Sequence, residues 1–193
     1  MKRASILMLA AASLGTLSVA HNAAALGPVD IEVAAKVGGG TNPEKNVADL
    51  PPNALGLGLG GRAGVSFFGL YGGVSFMDYL GTKSPGPPVM ESLKSILYGI
   101  EVGYNIGVPL LTLRPQLGVG NYTVSGSFNG NATGATLAPE NYNKSNLYLE
   151  PGLTGLLSFG MLIVGADANV LFLPGMNGSQ PAFTAHGQVG IKF

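Results

Sequence analysis

The chain has 193 residues, a length that predicts one domain, and it balances ten basic against ten acidic residues while only 10% of all residues are charged. A soluble domain usually carries about 25% charge, so the scarcity points to a surround that is not wholly water. The absence of Cys excludes a disulfide framework, a thiolate metal site and a lipid-anchored N-terminal Cys, and the neutral balance excludes a polyanion such as nucleic acid as an implied partner.

Lys2 and Arg3 precede an apolar run from Ile6 to about Leu17 and then small residues, which is the pattern of a secretory signal peptide. Cleavage is expected after Ala25 or after Ala20, giving a signal over residues 1–25 and a single domain over residues 26–193. Losing two of the ten basic residues against ten acidic ones leaves a net charge of −2. No later run of helical length is free of Gly, Pro and charge, so any membrane crossing is expected from strands.

The first strand follows from strict alternation: Val29, Ile31, Val33, Ala35 and Val37 share one face, Asp30, Glu32 and Lys36 the other. Gly38 to Asn53 reads as a polar loop. A second strand is predicted over Ala54 to Val65, with Leu55, Leu57 and Leu59 facing one way and Arg62 the other. After a short turn at Ser66 to Gly69 comes a third strand, with Leu70, Val74 and Phe76 opposite Tyr71, Ser75 and Met77. A long stretch from Tyr79 to Ser92 leads to a fourth strand, with Ile96, Tyr98, Ile100, Val102 and Tyr104 outward and Leu97 and Glu101 inward.

A tight connection is expected through Asn105 to Pro109, which places Glu101 opposite Arg114 on the fifth strand. Ser125 to Ser145 reads as the longest loop. The sixth strand sets Leu147, Leu149, Leu153 and Leu157 against Tyr148 and Glu150; the seventh sets Leu162, Val164, Val170 and Phe172 against Asp167 and Asn169. Pro115 and Pro151 fall inside strands, where a bulge or a misplaced boundary is expected. Leu97, Leu156, Ile163 and Leu171 point inward in this phase, so the interior is not wholly polar.

The eighth strand alternates to the last residue: Phe183, Ala185, Gly187, Val189, Ile191 and Phe193 on one face, Thr184, His186, Gln188 and Lys192 on the other. Long and short connections alternate between eight strands of about 9–11 residues, the length a membrane strand needs. Nine of the eighteen charges that remain after cleavage lie in strands, and all nine are opposite the apolar stripe: Asp30, Glu32, Lys36, Arg62, Glu101, Arg114, Glu150, Asp167 and Lys192. A cation at mid-bilayer on the lipid face costs roughly 2–4 kcal/mol, and that cost predicts this segregation. The expected fold is all-β, an eight-stranded antiparallel up-and-down transmembrane barrel with short periplasmic turns and long extracellular loops. With His186, the nine charges are expected to form a neutralising network in the lumen, Lys192 lying near Asp30 or Glu32.

The terminal strand, ending on an aromatic, resembles that of the small eight-stranded bacterial outer-membrane β-barrel proteins. The resemblance implies that Phe183, Val189, Ile191 and Phe193 carry the signal read by the barrel-assembly machinery. It implies a monomer in the outer membrane of a Gram-negative bacterium, meeting outer-membrane lipids and lipopolysaccharide, with a structural, adhesive or surface-interaction role. A small channel and a lipid A-modifying enzyme remain open. An enzyme would need a Ser or Thr beside His186, and the nearest by sequence are Ser66, Ser75, Thr154 and Thr184, none set there by a motif. No catalytic residue, cofactor or metal is therefore expected. Gly56 to Gly61 formally matches a dinucleotide fingerprint, but no helix follows it.

Overall fold

Alternation of period two forces strands, and a barrel is the arrangement that leaves no strand edge unpaired. The computed structural model describes residues 29–43, 53–81, 92–108, 110–127, 141–175 and 179–193. The proposed signal over residues 1–25 lies outside them. The elements are β1 (Val29–Gly40), β2 (Gly58–Phe67), β3 (Leu70–Tyr79), β4 (Ser92–Tyr104), β5 (Ile106–Val108), β6 (Leu111–Ser127), β7 (Asn141–Phe159), β8 (Leu162–Leu171) and β9 (Ala182–Lys192). All ladders are antiparallel, in the order β4-β3-β2-β1-β9-β8-β7-β6-β5, and β4 also pairs with β6. The sheet therefore closes on itself. β4 and β5 are two pieces of one strand, since Gly103 faces Gln116 and Ile106 faces Leu113 in a single register along β6. The result is a closed eight-stranded all-antiparallel barrel.

The chain ends meet at the closure. β9 pairs with β1 from Glu32–Lys192 to Gly40–Thr184, and Ile31 and Phe193 exchange both backbone hydrogen bonds at 3.0 and 2.9 Å. The predicted faces hold: Ile100, Val74, Leu153 and Phe183 are exposed on the outer wall, while Leu97, Leu156, Ile163 and Leu171 are buried inside.

Several expectations need correction. The second strand starts at Gly58, and Leu55 is fully buried, not on the outer wall. Asn53 makes the difference: its amide donates to the Gly40 carbonyl at 2.6 Å and its Oδ1 accepts the Leu55 N–H at 2.9 Å, folding Ala54 and Leu55 into the mouth of the barrel. The turn expected at Asn105 to Pro109 comes later, since Val108 pairs with Leu111. Glu101 consequently faces Gly118, and Arg114 stands across from Asn105. The ladder between β6 and β7 continues to Ser127–Asn141, well into the stretch expected as loop.

Neither proline produces a bulge. Both lie in the continuous β6–β7 ladder, as Pro115–Leu153 and Leu117–Pro151. On their other sides the pairing skips: β4 and β5 break at Tyr104–Asn105 alongside Pro115, and β7 and β8 pair at Leu149–Phe172 and again from Gly152–Asn169, missing Pro151 between them. A proline lacks an N–H, so each ladder loses its bonds there while the register runs through unchanged.

Candidate functional site: the polar lumen

Each inward-facing position of a small barrel points at the axis, so eight strands bring side chains far apart in sequence into one space. At the level of the short turns the centre is Glu32 on β1. Arg114 from β6 grips it bidentately, Nη1 to Oε1 and Nη2 to Oε2, both at 2.7 Å, and Arg62 from β2 adds a third bond to Oε1 at 2.7 Å. Two guanidiniums on one carboxylate leave an excess of positive charge, and Glu101 on β4 stands 4.0 Å from Arg62 to balance it. All four are buried. The Tyr71 ring lies against both guanidiniums, 3.7 Å from Arg114 and 5.5 Å from Arg62, a cation–π arrangement. Arg114 Nε donates to Asn105 Oδ1 at 2.6 Å, and the Asn105 amide donates to Ser66 at 2.8 Å, so the polar side chains next to the turns also face inward.

A run of neutral side chains leads toward the other end. Arg62 reaches Thr154 at 3.5 Å, Thr154 donates to Gln116 at 2.8 Å, and the Gln116 amide donates to Asn169 at 3.4 Å. Asn169 in turn donates to Asp167 at 2.8 Å. Asp167 on β8 is the second centre. It pairs with Lys36 of β1 at 3.0 Å and meets His186 Nδ1 of β9 at 2.7 Å. With a carboxylate at Nδ1, the ring proton is assigned there, which leaves Nε2 to accept the hydroxyl of Tyr79 at 2.6 Å. Thr184 donates to Glu150, which is half-buried, at 2.8 Å.

Beyond this second centre the lumen is apolar. Leu55, Leu93, Tyr122, Val124, Leu171 and Leu173 are buried in one cluster with Tyr79, and Ser95 holds the inserted segment by donating to the Ala54 carbonyl at 2.7 Å.

Of the ten residues expected in the lumen network, seven are buried and Glu150 is half-buried. Asp30 and Lys192 pair at 3.0 Å, but with side chains 43% and 30% exposed they form a rim bridge apart from the interior. Lys192 thus meets Asp30, one of its two expected partners, while facing Glu32 only along the backbone. The expected Glu101–Arg114 juxtaposition is replaced by Glu101–Arg62. Phe183 and Val189 are exposed on the outer wall, with Ile191 and Phe193 partly so. Tyr79 and Tyr122 are fully buried. Tyr71, Gln116 and Asn169 follow from the inward phase of their strands, although the expected charge network does not include them, and Asn105, expected in a turn, carries no such signal. Ser66, Ser75, Thr154 and Thr184 make no bond to His186, whose nitrogens are engaged by Asp167 and Tyr79. Among the described residues no cluster of His, Cys, Asp and Glu is arranged to hold a metal ion.

The bare glycine wall of β2 is backed by aromatic and thioether side chains. A Cβ built on Gly58 would meet the Tyr79 ring at 2.6 Å, and one on Gly60 would meet the Met77 sulfur. The glycines are thus the hollow into which β3 side chains fit.

No protein-family model matches the chain, and no curated protein does. Solved structures do. A major outer membrane protein from Thermus thermophilus is 13% identical, with 86% of this chain and 98% of that one covered and a TM-score of 0.53. The Neisserial surface protein A is 13% identical over 86% and 96%, with a TM-score of 0.51. Ail, the attachment invasion locus protein of Yersinia pestis, is 15% identical over 86% and 97%, also at 0.51. At such identities the likeness is one of fold: the chain has the fold of the small eight-stranded outer-membrane β-barrels.

Proposed function

We propose that the protein is an integral outer-membrane barrel of a Gram-negative bacterium, exported through its signal peptide, with a structural, adhesive or surface-interaction role and a lumen closed by its own side chains. The observation that carries this reading is the inversion of the fold. Its outer wall bears exposed Leu, Ile, Val and Phe on every strand from β1 to β9, while Glu32, Lys36, Arg62, Glu101, Arg114 and Asp167 are buried inside. Water would be a poor solvent for that wall, and acyl chains a good one. Fold likeness to barrels that include an attachment protein of another bacterium is consistent with a surface role, and the contacts would be made by outer-membrane lipids, lipopolysaccharide and the extracellular loops.

The channel alternative is disfavoured by the Arg62–Glu32–Arg114 cluster across the polar half and the apolar cluster around Leu55 across the other. The lipid A-modifying alternative is disfavoured because His186 is buried and both of its nitrogens are engaged.

The test is gel migration of the membrane-extracted protein with and without boiling, followed by planar-bilayer recording. A shift on boiling with β-rich circular dichroism and no conductance steps supports the proposal. Absence of the shift, with protein found free in the periplasm, would overturn the membrane assignment. Steady conductance from a folded sample would replace the closed lumen by a channel.

A further inference from the structure

Three connections at one end of the barrel are short, and the residues at their tips are large and apolar. Phe68 is 69% exposed, Leu110 66% and Phe159 56%, with Phe67, Leu70 and Met161 also exposed. Residues 63–77, 102–113 and 151–166, which run down one strand, round the tip and up the next, contain no Asp, Glu, Lys or Arg. Of the polar side chains near the tips, Ser66 and Asn105 bond to each other inside, and Thr112 and Ser158 are half-buried. Among the described residues the charged side chains that reach solvent at this end are Asp30 and Lys192, and they neutralise one another.

The backbone adds an independent observation. Phe68 and Leu110 hold positive φ angles of 48° and 71°. Residues with a Cβ rarely adopt such angles, and Gly or Asn would fill these positions with less strain. A tip that only had to turn in water would gain from the smaller polar residue. A tip that keeps Phe and Leu despite strain and exposure has a use for an apolar side chain there.

We propose that this end of the barrel is itself a lipid-binding surface, its three tips seated among the acyl chains of the leaflet on that side and not projecting into water. This rests on the membrane-spanning reading above. The committed occupant is lipid because the exposed tips are continuous with the apolar outer wall of the same strands, Val65 leading to Phe67 and Phe68, and Leu157 to Phe159, without a charge between. The loop end differs: Glu44, Lys45, Asp49, Lys83, Glu91, Lys94, Glu140 and Lys144 all fall in or beside its connections. The charges outside the strand bodies thus gather at the loop end, while the described charged side chains that reach solvent at the other end are the mutually neutralising Asp30 and Lys192.

The chain contains no Trp, so a single introduced one reports alone. Phe68→Trp and Phe159→Trp would be made, the second lying outside the strained position, with Ile100→Trp on the mid-wall and Asn143→Trp near the loop end as references. Each folded variant, checked by its gel shift, is placed in phosphatidylcholine vesicles and quenched by lipids brominated along the acyl chain and by aqueous iodide. The expected result is strong quenching of both tip variants by brominated lipid, with iodide quenching several-fold weaker than for Asn143→Trp. Iodide quenching of both tips equal to that of Asn143→Trp would overturn the proposal, as would tips shielded from both quenchers, which would mean stacking of two copies. Failure of brominated lipid to quench Ile100→Trp would instead sink the membrane-spanning reading.

Discussion

A carboxylate that faces two guanidiniums inside a barrel has little water to turn to if either partner is lost. Glu32 accepts three bonds at 2.7 Å from Arg62 and Arg114. Glu32→Gln would leave both cations short of countercharge, and breaking a buried pair typically costs about 3–5 kcal/mol. We expect a correspondingly lower urea midpoint for the folded barrel, followed by tryptophan-free circular dichroism or gel shift. Replacing Glu32, Arg62 and Arg114 together by apolar residues of similar volume should cost less than Glu32→Gln alone, because no orphan charge remains. At the second centre, Tyr79→Phe removes the hydroxyl that reaches His186 Nε2 at 2.6 Å while keeping the ring that fills the Gly58 hollow. The expected loss is about 1–3 kcal/mol, the usual consequence of stranding a buried acceptor, measured in the same titration.

At the scale of strands, prolines test what a ladder needs. Pro151 leaves β7 and β8 unpaired between Leu149–Phe172 and Gly152–Asn169 without moving the register. Pro151→Val should restore the missing donor and slow amide exchange in the adjoining part of β8. Its net effect on stability should stay small, since a bond gained for about 0.5–1.5 kcal/mol is offset by about 0.4–1 kcal/mol of regained freedom in the unfolded chain.

Strand identity and facing were legible in the sequence because a membrane wall permits almost no exceptions to alternation; even inward Ile163 and Leu171 followed from phase. Turn positions were less so: nothing in the residues from Asn105 to Leu111 distinguishes a turn there from one two residues later, and the choice moved Arg114 from Glu101 to Glu32. Leu55 was misplaced because Asn53, a residue that bonds its own backbone, ends the alternation before the strand begins. The partners of each lumen charge depend on stagger around the whole barrel, which no local pattern records.

At the scale of the molecule, two closures lie in series along the axis: the Arg62–Glu32–Arg114 cluster near the short turns and the apolar cluster around Leu55 at the loop end. Opening either alone should leave the lumen shut. We expect no conductance steps in planar bilayers from Leu55→Ser or from Arg114→Ser, and steps from the double variant, each confirmed folded by its gel shift. Conductance from either single variant would show that the closure left intact does not seal the lumen by itself.

The seam between β1 and β9 has a kinetic consequence. Ile31 and Phe193 bond to each other although almost the whole described chain separates them. Every other neighbouring pair in the barrel, β4 with β6 included, can form as the chain passes, but this pairing must wait for the final strand, and its loop-closure entropy is the largest in the molecule. Until then β1 and the growing end each present an open edge, the geometry from which sheets aggregate. Folding of this barrel is accordingly slow in its last step, and a chain that lost β9 would keep seven strands' worth of local order with nothing to shut it.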